Sequence, residues 1–147
     1  MSMRKLIFLA AAVVALAAAS STMASEQAAP TLTARSSSFG KVLFDGRGFV
    51  LYAFTKDRRT SACSGACAKA WPPYVVRGAL RAGAGVKASL LGTVRRANGS
   101  RQVTYAGRPL YYYVGDRSPG QILCQNVSEY GGLWLVVRPT GIPVRSS

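Results

Sequence analysis

Three features of the sequence predict a mainly β, single small domain. Apolar runs are short and broken by Gly, Asn and Pro. No segment after the first two dozen residues holds an apolar helical period beyond about three turns. One stretch is written twice: "LYAFTKD" at Leu51–Asp57 and "LYYYVGD" at Leu110–Asp116. Both place tyrosine, any residue, an aromatic, two residues, then aspartate.

The N-terminus stands apart. Met1–Lys5 carries two positive charges, Leu6–Ala19 is apolar, and small residues follow to Ala24. This is the layout of a secretory signal peptide, with cleavage expected after Ala24. The apolar run falls short of the roughly 20 residues that span a bilayer, so no transmembrane span is expected in the mature protein. No cysteine precedes Cys63, which excludes lipid attachment at a processed N-terminus. The mature chain is expected to be soluble and exported, periplasmic or secreted. About 123 residues remain, enough for one domain with a core.

Residues 25–38 hold Ala, Ser, Thr, Gln and Pro without an apolar period and read as a flexible lead-in to a β-rich domain over 39–147. "KVLF", "DGRG" and "FVLYAF" predict a hairpin turning at Asp45-Gly46. Ser64–Ala70 is the best helical candidate, stopped by Pro72-Pro73. Gly78–Gly92 predicts a loop with one helical turn near Lys87–Leu91. "GTVRR", "RQVTY" and "LYYYV" predict a three-stranded meander with corners at Asn98-Gly99 and Gly107. "LWLVV", "RPTG" and "IPVR" predict a last hairpin.

The halves look related. "GRGFVLYAFTKD" leads through a cysteine segment to Trp71, and "GRPLYYYVGD" leads through Cys124 to Trp134. Two strand-turn-tryptophan units, about 39–77 and 91–138, are expected to pair across a pseudo-twofold.

Together these residues resemble the bacterial secreted-repeat family of predicted lipoproteins with the Yx(F/W/Y)xxD motif. "TKDRRTSACSGACAKAWPP" at Thr55–Pro73 is similar to its cysteine and Trp-Pro-Pro signature, and "RQVTYAGRPLYYYVGD" at Arg101–Asp116 to its second half. The likeness covers roughly Phe39–Gly141. It implies export and no known activity. Lacking a lipidation cysteine, this chain looks like a soluble member.

Residues two apart on a strand share a face. Tyr52 and Phe54 therefore point one way, as do Tyr111 and Tyr113, while Leu51, Ala53, Leu110 and Tyr112 take the other. Asp57 and Asp116 fall just past the strand ends. There they are expected to accept turn N–H groups and pair with the following arginines. Those arginines argue for ionised carboxylates rather than raised pKa values. A sharper reading brings the two aspartates together as the carboxylate pair of a glycoside hydrolase.

Three cysteines cannot all pair within one chain. By spacing alone, Cys63–Cys67 and Cys67–Cys124 bridges are both tenable, and the family resemblance favours the former. Three thiolates at Cys63, Cys67 and Cys124 would suit a soft metal such as Cu(I), and a redox role would need a lowered thiol pKa. Trp71 and Trp134 read as equivalent core anchors.

Composition limits the chemistry. No histidine occurs, which excludes Ser-His-Asp and Cys-His catalysis and His-ligated metals. Removal of Arg4 and Lys5 from 19 basic residues leaves seventeen against 5 acidic ones, a net of +12. Such a charge favours anionic partners. Outside the cytoplasm these are lipid head groups, acidic polysaccharide and surface polymers; nucleic acid is disfavoured by location. Arg95, Arg96 and Arg101 flank one turn as an anion-binding candidate. The leading expectation is an exported, non-catalytic basic envelope protein without cofactor, binding an anionic or protein partner. A cysteine-dependent metal or redox protein comes second, and the Asp57/Asp116 hydrolase third.

Overall fold

The computed structural model describes residues 29–145. The predicted signal peptide and the first four residues of the lead-in lie outside them. Strands β1 (Leu32–Ser37) and β2 (Gly40–Asp45) form an antiparallel hairpin. The expected lead-in is thereby corrected, because most of its second half is a strand. β1 escapes a search for apolar periodicity because, in "LTARSS", Leu32 is its one large buried hydrophobe; its remaining positions are small or polar. Its order comes from the ladder to β2, with Ser37 Oγ closing the turn onto the Gly40 carbonyl at 2.7 Å.

The hairpin predicted at Asp45-Gly46 forms only at its base. Asp45 Oδ1 accepts the N–H groups of Arg47 and Phe49, Val50 bridges back to Phe44, and then the chain leaves β2. β3 (Tyr52–Phe54) pairs instead with β9 (Gly132–Val136), which also pairs with β8 (Val127–Glu129). The predicted helix shortens to α1 (Ala66–Ala70), and β4 (Val75–Val76) follows the two prolines. A 3-10 turn at Ala88–Leu90 occupies the expected place in the long loop. β5 (Leu91–Arg95) and β6 (Arg101–Tyr105) form the expected hairpin around Gly99. The meander's third strand is only β7 (Arg108–Pro109), after which Tyr111 turns away. The last hairpin is present as a Val137–Pro143 bridge.

The duplication is physical. Hairpin β1–β2 corresponds to β5–β6, and the two tyrosine segments meet each other. Tyr52 N–H donates to the Tyr111 carbonyl and Tyr111 N–H to that of Tyr52, each at 2.9 Å. Around this antiparallel pair several partners are exchanged between halves. Tyr52 lies opposite Val136, just past Trp134, while Tyr111 lies opposite Pro73, just past Trp71. Leu43 N–H reaches the Val137 carbonyl, and Val103 N–H the Tyr74 carbonyl. Apart from the β1–β2 hairpin, each sheet combines strands of both halves.

The strand alternation read from the sequence sorts the core into two clusters. Tyr52, Phe54, Tyr111, Trp71 and Trp134 build one, and Leu43, Leu51, Val103, Leu110 and Val137 the other. Rings in the first stack in an order that alternates between repeats. Phe54 lies 4.1 Å from Trp134, Trp134 lies 4.0 Å from Trp71, and Trp71 lies 4.7 Å from Tyr113. The two indoles are within 4° of parallel and fully buried. Gly132 is required here, since a Cβ at that position would meet the Phe54 ring at 2.6 Å. Because Trp134 has an aromatic neighbour on both faces, Trp134→Ala is expected to cost about 3–5 kcal/mol, measurable as a lower urea midpoint with unchanged slope.

Candidate functional site

The two aspartates do not form a pair; each serves the other repeat's tyrosine. Tyr52 Oη donates to Asp116 Oδ2 at 2.7 Å, and Tyr111 Oη donates to Asp57 Oδ2 at 2.8 Å. The second oxygen of each carboxylate caps its own loop. Asp57 Oδ1 accepts Ala62 N–H at 2.6 Å, and Asp116 Oδ1 accepts Leu123 N–H at 2.9 Å. Ala62 and Leu123 precede Cys63 and Cys124, so the cysteines too occupy equivalent places. The Y-x4-D spacing has a mechanical reason. One face of the strand sends the tyrosine across the pseudo-twofold, and the aspartate five residues on receives the tyrosine that comes back.

The expected turn N–H bonds are therefore present, but the expected arginine partners are not. The ion pair found among the described residues is Arg47–Asp45 at 3.0 Å. With no cation in salt-bridge contact, burial pushes both the Asp57 and the Asp116 carboxyl above the ordinary 3.8, against the lowering effect of their tyrosine and backbone donors and, for Asp57, of the more distant Arg96 charge. This corrects the expectation of salt-bridged carboxylates with unraised pKa values. Burial, and then the carboxylates opposite, also raise the hydroxyl pKa values of Tyr52 and Tyr111, which keeps both tyrosines as donors. The arrangement is a closed, self-satisfied network rather than an acid–base pair facing a substrate.

Cys63 and Cys67 form a disulfide with Cα atoms 5.3 Å apart, and Cys124 is free and half-buried. The Cys67–Cys124 alternative is thereby removed, and so is the three-thiolate metal site, whose sulfurs are already bonded to each other. Burial pushes the Cys124 thiol up, opposed by the Tyr113 hydroxyl and reinforced by Asp116 and Glu129. That is the reverse of what a reactive thiolate needs.

The proposed basic tip is divided. Arg95 is exposed and donates to the Gly99 carbonyl at 3.0 Å. Arg96 instead folds inward, where Nη1 donates to Ser61 Oγ and Gln102 Oε1 and Nη2 to the Cys63 carbonyl, each at 2.8 Å. Arg101 reaches toward the Gly78 carbonyl on another side. The three do not form one exposed cluster. Arg95 and Arg96 do line a cavity of about 380 Å³ with Thr60, Ser61, Cys63 and Ser64.

Several structural residues escaped the sequence reading. Ser61 lies 2.7 Å from Tyr111 Oη and supports it. Glu129 accepts Trp71 Nε1–H at 2.9 Å through its carboxylate and Trp134 Nε1–H at 3.2 Å through its carbonyl, so one residue ties both indoles. Asp45 is buried and takes Tyr112 Oη at 2.9 Å beside Arg47. A useful signal was available: acidic residues are scarce in this chain, so each one present carries extra weight.

The model of the family Lipoprotein_15, a secreted repeat of unknown function, matches residues 33–74 and 92–138. The chain belongs to Lipoprotein_15. The two matched segments coincide with the two structural halves that exchange partners here. No curated protein and no solved structure matches the chain.

The raised carboxyls set a sign for pH dependence. Between the ordinary 3.8 and the raised folded values, the native state binds more protons than the unfolded chain. Stability from these two groups is therefore present at low pH and is lost as pH rises through the folded values. Urea unfolding from pH 3.5 to 7 should show this downward slope, and it should flatten in the Asp57→Asn, Asp116→Asn double variant relative to the wild type.

Proposed function

We propose that this protein is an exported, non-catalytic basic domain that binds an anionic component of the cell envelope, in the periplasm or outside the cell. One observation carries the reading. Each described carboxylate is taken up by the fold: Asp45 by Arg47 and Tyr112, Asp57 by Tyr111, Asp116 by Tyr52 and Glu129 by Trp71. Of these only Glu129 is exposed, whereas the lysines and arginines are exposed at every described position except Arg96 and Arg101. The folded surface therefore presents positive charge with little negative charge interspersed, and anions are drawn to it over about 10 Å at 0.1 M salt.

The competing readings receive less support. A glycosidase needs its two carboxyls free to face a substrate, and here both are occupied by cross-repeat tyrosines. A redox role needs an accessible dithiol, whereas Cys63 and Cys67 are buried in the aromatic cluster. No helix among the described residues is long and apolar enough to cross a membrane, and a membrane role would run through surface charge.

The test is retention of the mature protein on carboxylate-, sulfate- and phosphate-bearing matrices. Binding is expected to fall steeply between 0.1 and about 1 M salt as the screening length shrinks to about 3 Å, and to survive alkylation of Cys124. Retention that ignores salt, or that disappears on alkylation, would contradict the proposal.

A further inference from the structure

The cavity beside the disulfide loop has the chemistry of a particular anion. It lies between Thr60–Ser64 on one side and the Arg95–Arg96 turn on the other, with a volume of about 380 Å³. We propose that it is a seat for a phosphate ester, a refinement that rests on the anion-binding reading above.

The lining residues supply donors and include no carboxylate. Arg95 and Arg96 line the cavity with the hydroxyl residues Thr60, Ser61 and Ser64, of which Ser61 is already engaged by Tyr111 and Arg96. Asp57 does not line the cavity; it is close enough to feel the charge of Arg96, and its two oxygens are taken by Tyr111 Oη and Ala62 N–H. Arg96 is fixed in the wall by Ser61, Gln102 and the Cys63 carbonyl, so its charge is placed in advance rather than ordered on binding. Cys63 is in turn held by its bond to Cys67. Arg95 is exposed at the mouth and engaged at one nitrogen, which leaves most of its fork open.

Donor number and shape select the ligand class. Arginine forks match phosphate oxygens with two parallel bonds, and hydroxyls satisfy the remaining ones. An acidic sugar held by ring stacking would need an aromatic wall, and no aromatic residue lines the cavity. The volume lies in the range of about 300–1,000 Å³ usual for small-molecule sites, so the phosphate is expected to carry a glycerol- or sugar-sized substituent.

The experiment titrates the mature, oxidised protein with glycerol 3-phosphate, with glycerol as the neutral control, and follows backbone amide shifts. Saturable shifts are expected at Thr60–Ser64 and Arg95–Arg96. Arg95→Ala should weaken binding at least about tenfold, the loss of one charge-assisted contact. Arg95→Lys, which keeps the charge but lacks the fork, should weaken it as well. Arg138→Ala, an exposed cation on another hairpin, should change it by less than about twofold.

Competition by soluble poly(glycerol phosphate) and by phosphatidylglycerol vesicles then separates a free polymer from a lipid head group as the source. Either one, if dependent on Arg95, supports the seat. Shifts spread over all basic positions, equal losses in Arg95→Ala and Arg138→Ala, or no saturation would overturn it. If the seat fails while salt-sensitive retention persists, the broader anion-binding reading stands alone; if retention fails too, both fall.

Discussion

The fold depends on two tyrosines that hydrogen-bond to each other through their backbones and to each other's aspartates through their hydroxyls. The Tyr52–Tyr111 pair fixes the pseudo-twofold, and the crossed bonds to Asp116 and Asp57 lock its register. A one-residue slip at this pair would turn the shifted strand's tyrosine out of the aromatic cluster and break its bond to the aspartate opposite. The alternating ring stack depends on each tryptophan segment pairing with the tyrosine segment of the other half, Trp134 through β9 and Trp71 through the Pro73 bridge. In a domain this small, one shared core replaces two that would each be too small to stand.

The halves differ where the chain between aspartate and tryptophan differs. In the first, Cys63–Cys67 closes the loop and α1 leads to Trp71; in the second, β8 forms a hairpin with β9 and Glu129 reaches back to both indoles. Cys124 occupies the place of Cys63 without a partner, since no cysteine stands in the second half where Cys67 stands in the first. Function has room to differ at the same places. The disulfide loop and Arg96 shape a cationic recess in the first half, while Leu123 and Cys124 occupy the corresponding segment of the second.

Much of this was legible in the sequence, because it rested on local rules. The doubled motif, the period-two alternation of Leu51–Phe54 and Leu110–Tyr113, the turns at Asn98-Gly99 and Asp45-Gly46, and the short helix before Pro72 all follow from neighbours along the chain. What escaped was set by distant ones. β1 is polar and ordered by its ladder to β2. β8 exists because β9 offers an edge. The tyrosine partners of Asp57 and Asp116 lie more than fifty positions away, whereas Arg58, Arg59 and Arg117 lie beside them and drew the wrong pairing. Arg96 reads as a turn cation, yet it faces inward because Gln102 and the Cys63 carbonyl offer buried acceptors.

If the exchanged tyrosines hold the halves as one unit, their stability must be indivisible. Native-state hydrogen exchange tests this most directly at the amides of Tyr52 and Ala62 on one side and Tyr111 and Leu123 on the other. All four should exchange only through global unfolding, with the same free energy and the same dependence on denaturant. If one set exchanged through a separate, lower-energy opening while the other stayed protected, the repeats would be independent units and the crossed bonds would not be what holds the fold together.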